Sequence, residues 1–277
     1  MLVLIRGAGD LATGVAIRLR RAGMRVVMTD IAAPTAIRRT VAFSQAVRLG
    51  EAALEGVRAR LAADASDAME ILGGGDIAVL VDPDAECRGE LQPDVLVDAI
   101  LAKRNTGTGI SHAPLVIALG PGFTAGKDCH AAIETMRGHD LGRVYYEGSP
   151  LPDTGTPGEI AGQGAARVLR APKEGIFVGV KKIGDTLEAG ETVALVDGVP
   201  MKAALSGVLR GLLPDGIHVR AGMKSGDVDP RGNREACFTV SDKSLAIGGG
   251  VLEAILSAVH RSLLPPLMRI VQKPDTN

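Results

Sequence analysis

The sequence predicts an α/β protein: a doubly wound, mostly parallel sheet first, a smaller β-rich unit after it, and a helix near the C-terminus. Three observations carry this expectation. A buried apolar strand runs into a glycine loop and then into helical periodicity. Short apolar runs alternate with helix-like stretches through the first half, as in a parallel sheet. Beyond a Pro/Gly-rich segment the pattern becomes all β.

The chain has 277 residues, above the usual ~100 to 200 per domain, so one large or two smaller domains are expected. Hydrophobic residues make up 46% but aromatics only 2%, with no Trp, so the core must be built from Ala, Val, Leu and Ile. Small aliphatic side chains favour close packing of helix on sheet. The 36 glycines point to many tight turns or close backbone-to-ligand approaches. A formal charge of -1 and the scarcity of aromatics argue against nucleic acid as a partner. Three scattered cysteines, Cys87, Cys129 and Cys237, suggest neither a disulfide framework nor a Cys-x-x-Cys metal site, so a reducing, cytoplasmic setting is expected and no metal. The apolar start, Met1 to Ile5, stops at Arg6, too short for a signal peptide or a membrane span.

Leu2 to Ile5 reads as a buried strand, and Leu11, Val15 and Leu19, four apart, begin a helix. Arg18, Arg20 and Arg21 complement the dipole of its last turn, and Gly23 suits a left-handed cap. Arg25 to Asp30 is the second strand, followed by apolar runs at Ile77 to Val81, Val95 to Val97 and Leu115 to Leu119, with Ala131 to Met136 reading as helix. Ser149 to Gly164, with Pro150, Pro152 and Pro157, is the linker candidate. After it, Gly184 to Glu191 recurs in form as Gly216 to Met223, which suggests two similar hairpin units. Leu252, Ile255, Leu256 and Val259 mark the last helix. The expected boundaries are 1–148, 165–247 and 248–264.

The first loop carries the most chemistry. In Gly7-Ala8-Gly9-Asp10-Leu11-Ala12 the first glycine allows a tight turn, the second lets backbone approach a pyrophosphate, and Ala12 permits close helix packing, as in a Rossmann dinucleotide site. Asp30 ends the second strand, where a ribose diol would be read. Asp10 counts against easy phosphate binding unless its carboxylate points away. Asp98, Lys103, Arg104 and Asn105 follow a buried strand and form a candidate anion grip at the sheet's carboxyl end; a solvated helix end is the competing reading. Gly120 and Gly122 belong to a further loop that could border the same crevice. That loop is no P-loop, since Pro121 stands where a glycine is needed and Asp128 where Ser/Thr would hold magnesium.

Arg38-Arg39-Thr40 could reach a phosphate but reads first as exposed. Cys129 and His130 are adjacent and should diverge on a helix, so no nucleophile–base dyad is expected. Tyr145-Tyr146 reads as strand, and no proton relay for hydride transfer is visible.

Several long strings resemble one family. Arg6 to Gly14, Val27 to Asp30, Pro34 to Phe43, Asp94 to Asn105, Leu119 to Gly126, Glu134 to His139 and Gly226 to Arg231 are similar to the YqeB-type selenium-dependent molybdenum hydroxylase system proteins, from Met1 to about Ser262. The resemblance implies an accessory protein for maturing those hydroxylases. Its implied partners are a molybdenum hydroxylase or other cofactor-maturation proteins, and a homo-oligomer is compatible with it. The ligand in the crevice would be NAD(P) or molybdopterin dinucleotide. The alternative function is an NAD(P)-dependent oxidoreductase acting on a small molecule. The paired hairpin units resemble the hammerhead of biotinyl and lipoyl carriers, yet Asp197-Gly198 occupies the tip where a carrier lysine belongs, so Lys202 is expected to bear no prosthetic group.

Overall fold

The computed structural model describes residues 1–155, 162–261 and 264. Pro157 of the expected linker and residues 262–263 of the expected last helix lie outside the described residues. The chain is mixed α/β, with one large, mostly parallel sheet and two smaller antiparallel sheets.

The first unit runs β1 (Leu2–Arg6), α1 (Asp10–Arg21), β2 (Arg25–Asp30), α2 (Gln45–Leu49), β3 (Glu51–Leu54), β4 (Val57–Leu61), α3 (Ala65–Gly73), β5 (Ile77–Val81), α4 (Arg88–Leu91), β6 (Val95–Asp98), β7 (Leu115–Leu119), β8 (Ala131–Ile133) and β9 (Val144–Tyr145). Its nine strands lie in the order β3-β4-β5-β2-β1-β6-β7-β8-β9. The strands from β4 to β8 in that order are parallel, and the edge strands β3 and β9 are antiparallel to their neighbours. Chain order reverses between β1 and β6, so the connections leaving those two strands diverge and open a crevice at their carboxyl ends.

α1 ends as its residues dictate. The Gly23 N–H donates to Arg20 O and the Met24 N–H to Leu19 O, with Gly23 at φ +87°, so the last carbonyls are satisfied by a left-handed turn. The stretch Ala131 to Met136 is not helical: Ala131–Ile133 forms β8, fully buried between β7 and β9. A run of small apolar residues buried on both faces suits an interior strand as well as a helix, and strand pairing decides.

The face that a helix beside β8 would cover is taken by α5 (Asp242–His260), which packs on α1, β7, β8 and β9. α5 begins at Asp242, earlier than the expected residue 248, because the Ser241 hydroxyl accepts the Ser244 N–H and caps it. The glycine triplet 248–250 lies inside the helix. There Gly250 allows an approach to Gly142 O, where a Cβ would come to 2.3 Å.

Between β9 and α5 the second unit comprises β10 (Val168–Arg170), β11 (Gly175–Gly179), β12 (Thr186–Leu187), β13 (Thr192–Val196), β14 (Val199–Lys202), β15 (Gly207–Leu212), β16 (His218–Val219) and β17 (Lys224–Asp229). They form two four-stranded sheets, β10-β17-β15-β12 and β14-β13-β11-β16, around one core containing Phe177, Val193, Leu209 and Val228. The recurrence of glycine pattern is structural: β11, β12 and β13 begin 32 residues before β15, β16 and β17. Asp197 (φ +43°) and Gly198 (φ +78°) make the tight turn between β13 and β14.

The two units meet where the segment after β2 lies along β15. Ile37 O accepts the Leu212 N–H at 2.7 Å, Arg39 Nε donates to Leu212 O, and the Thr40 hydroxyl donates to Cys237 O at 2.6 Å. Among the described residues no helix is long and apolar enough to cross a membrane.

Candidate functional site

β1 is central, with Arg6 opposite Thr29 on β2 and opposite Asp98 on β6. Just beyond it Gly7 turns at φ +107°, donates its N–H to Thr29 O, and lies so close to the next connection that a Cβ would be 2.9 Å from Ala99 O. Glycine is required there on both conformational and steric grounds. The Ala8 N–H donates to Asp30 Oδ2 at 3.1 Å, and the Ile31 N–H to Asp30 Oδ1 at 2.8 Å. Burial raises the Asp30 pKa, and the two backbone donors oppose the rise.

These residues line a cavity of about 420 Å³ together with Gly9, Asp10, Leu11, Ala12 and Ala99 to Leu101. It continues into a larger lobe of about 660 Å³ at the junction of the two units, and Asp10, Leu11, Arg38, Lys224 and Asp227 line both lobes. Asp10 does not face the crevice as a bare carboxylate. Its Oδ1 accepts the Leu11 N–H, and its Oδ2 pairs with Arg38 Nη1 at 3.0 Å. Arg38, expected at the surface, is buried, because the second unit covers it and Ala236 O accepts from its Nη2.

The other expected residues separate. Lys103 (φ +64°) lines the larger lobe and pairs with Asp153 at 3.4 Å. Asp98, Arg104, Asn105, Gly120 and Gly122 line neither lobe, which corrects the expected grip. Asp98 is 1% exposed and accepts the Thr108 hydroxyl at 2.6 Å beside Arg6. Asn105 is spent on its own loop: its Oδ1 accepts the N–H groups of Gly107 and Thr108, and its Nδ2 donates to Thr108 O. The Arg104 backbone fills the space next to Gly122, and Thr135 that next to Gly120, so these glycines allow loops to pack rather than a ligand to approach. Cys129 is fully buried, its thiol pushed up to about 12 chiefly by burial, and His130 Nδ1 accepts the Val116 N–H. The two form no dyad.

Residues that local sequence reasoning passed over complete the larger lobe: Arg137, Arg167, Arg210, Lys224, Asp227, Lys243 and Glu134. Glu134, fully buried, accepts the N–H groups of Met136 and Leu151, and so fixes the strap beside the lobe. Arg137 chelates Asp242 at the start of α5, and this bidentate pair holds the Asp242 carboxyl far below the usual range. Asp227 is buried beside Arg167, and burial raises its pKa against the pull of the surrounding cations. These residues come from segments more than a hundred positions apart. The signal for Glu134, Arg137 and Asp227 lies in the strings Glu134 to His139 and Gly226 to Arg231, and the other four lie outside both.

No family model matches the chain. Similar solved structures are described as an aspartoacylase family protein from Mesorhizobium loti (14% identity, 52% of this chain and 60% of that one, TM-score 0.23), a succinylglutamate desuccinylase/aspartoacylase from Rhodobacter sphaeroides (18%, 49% and 58%, 0.22) and a succinylglutamate desuccinylase from a Silicibacter species (14%, 82% and 84%, 0.26). These descriptions correct the expected function. The neighbours are described as aspartoacylase and succinylglutamate desuccinylase proteins, none as a molybdenum, selenium or NAD(P) protein, and the accessory role in hydroxylase maturation and the oxidoreductase alternative are not carried further. At such TM-scores the likeness puts no hydrolase activity in their place. A curated relative, "Uncharacterized protein YqeB" of Escherichia coli K12, is 53% identical over 262 residues, which is 95% of this chain and 48% of that protein. The chain spans about half the length of the relative it matches, and over that half it is similar to that protein.

Proposed function

We propose that the crevice binds a phosphorylated, hydroxyl-bearing small molecule, the class to which nucleotides belong. One observation carries this reading: an acceptor carboxylate, Asp30, the start of α1 and the Arg38 guanidinium line one cavity. Ligand hydroxyls donate to Asp30, while the helix N-terminus and Arg38 face the phosphate. NAD(P) and molybdopterin dinucleotide are members of this class and belong in the test panel without being assigned.

Asp30→Asn is the direct test. Calorimetric titration of AMP, ADP, NAD, NADP and the pterin dinucleotide should find at least one that binds the wild type, with a loss of about tenfold or more in the variant, the size of one charge-assisted hydrogen bond. Equal affinity in both proteins, or no binding from the panel, removes the reading. A second readout is the pH dependence of stability without ligand. Because the folded pKa of Asp30 is raised, its contribution to stability is full below the unfolded carboxylate range near ~3.9 and is lost as pH rises through the folded value. Asp30→Asn should therefore flatten the stability curve over that interval in urea unfolding, and an unchanged slope counts against the assignment.

The β unit has no carrier role in this reading. Lys202 is exposed at the end of β14, several residues past the Asp197-Gly198 tip. Intact mass from a host competent for biotin and lipoate attachment should equal the polypeptide mass, and an added biotin or lipoyl group on Lys202 would overturn this.

A further inference from the structure

We propose that the larger lobe is a separate subsite for a compact phosphate polyanion of the pyrophosphate class, completed only where the two units meet. The inference does not depend on what fills the smaller lobe.

The charge pattern is the first ground. Seven cationic and four acidic side chains line the lobe, in a chain whose formal charge is -1. The acids are already committed. Asp10 holds Arg38, Asp153 holds Lys103, Asp227 holds Arg167, and Glu134 accepts two backbone N–H groups. Arg137 is matched by Asp242. Three cations remain in surplus. Among the described residues the ammonium groups of Lys224 and Lys243 make no hydrogen bond or ion pair, and the Arg210 guanidinium has only Asp229 at 3.7 Å, a carboxylate that also chelates Arg231 at 2.7 Å.

The second ground is an unmet hydrogen-bonding demand. Arg210 is 7% exposed and Arg38 9%, and the Nε of each is buried without an acceptor. Buried donors of this kind are uncommon, because each forfeits its bond to water. Desolvation is the main cause that lowers the pKa values of Lys224, Lys243 and Arg210, with neighbouring cations adding to it and the nearby carboxylates only partly offsetting it. An anion bearing two or three charges offsets that penalty. Guanidinium forks beside lysine point charges suit phosphate oxygens.

The subsite draws on both units. Arg210 lies on β15 and Lys224 opens β17, whereas Lys243 lies in the first turn of α5 and Arg38 follows β2. Bound polyanion therefore bridges the units and should raise the midpoint of thermal unfolding.

The test uses inorganic pyrophosphate alone on the whole chain, by calorimetric titration and thermal unfolding. Pyrophosphate should bind the wild type, stabilise it, and bind about tenfold or more weakly in Lys224→Met and in Lys243→Met. Neither lysine side chain has a bonding partner to lose, so both variants should fold. Arg25→Met, at the exposed amino end of β2, should bind as the wild type does, and Asp30→Asn should retain pyrophosphate binding even where the smaller lobe has lost its ligand. No binding at millimolar pyrophosphate, unchanged affinity in both lysine variants, or an equal loss in Arg25→Met overturns the subsite. Tighter binding of a tricarboxylate such as tricarballylate overturns the assignment to phosphate.

Discussion

Replacing Gly7 by valine is expected to lower the unfolding free energy by about 3 kcal/mol and to abolish ligand binding. Two independent costs add at this position. Gly7 holds φ +107°, a conformation that costs an L residue ~1 to 3 kcal/mol. A Cβ there meets only backbone, with Ala99 O at 2.9 Å, Ala99 C at 3.0 Å and Ile100 N at 3.1 Å, and overpacking against atoms that cannot rotate away costs a further ~1 to 3 kcal/mol. Relief requires the connections after β1 and β6 to separate, which deforms the smaller lobe. Gly9→Val separates the site from the fold. Gly9 has φ -67° and nothing within 4 Å of its added Cβ, so stability should stay within ~0.5 kcal/mol of wild type while the new side chain occupies space needed by the ligand. Urea unfolding and titration on both variants decide. A stable Gly7→Val protein, or a Gly9→Val protein with full affinity, contradicts the role given to the loop.

Asp98→Ala is expected to cost about 3 kcal/mol, at the low end of the range for breaking a buried ion pair. The Arg6 guanidinium, with its side chain 6% exposed, sits between Asp98 at 3.5 Å and the more exposed Asp84 at 3.0 Å. It also donates to Pro83 O, Thr106 O and the Thr108 hydroxyl. Removing Asp98 leaves that charge with one solvent-screened carboxylate and takes the acceptor from the Thr108 hydroxyl, whose contact orders the loop carrying Leu101 and Lys103. Asp84 and the carbonyls keep the loss from reaching the top of the range. A double-mutant cycle with Arg6→Met should show a coupling of at least ~1 kcal/mol, because Asp98 loses most of its partner once Arg6 is gone. Additive losses would mean that Asp98 acts only through the Thr108 hydroxyl and the Ile100 N–H, which donates to its Oδ1 at 3.2 Å.

The sequence by itself determined the elements whose signal is local. β1, the glycine loop, α1 and β2 follow from apolar runs, 3.6-residue periodicity and a capping glycine, each acting within about six residues. The 32-residue repeat and the Asp197-Gly198 turn were legible for the same reason: a positive φ and a hairpin tip constrain the residues that adopt them. Only the tertiary structure decided that Ala131–Ile133 is an interior strand, that α5 supplies the missing cover, and that Asp98 and Asn105 brace loops while Arg38 is buried in the site. Nothing local distinguishes an arginine that the second unit will cover from one left in water. The larger lobe was out of reach for the same reason, since Arg38, Arg137, Arg210, Lys224 and Lys243 become neighbours only through docking of the two units, and their charges acquire meaning from burial and from which acids are already committed.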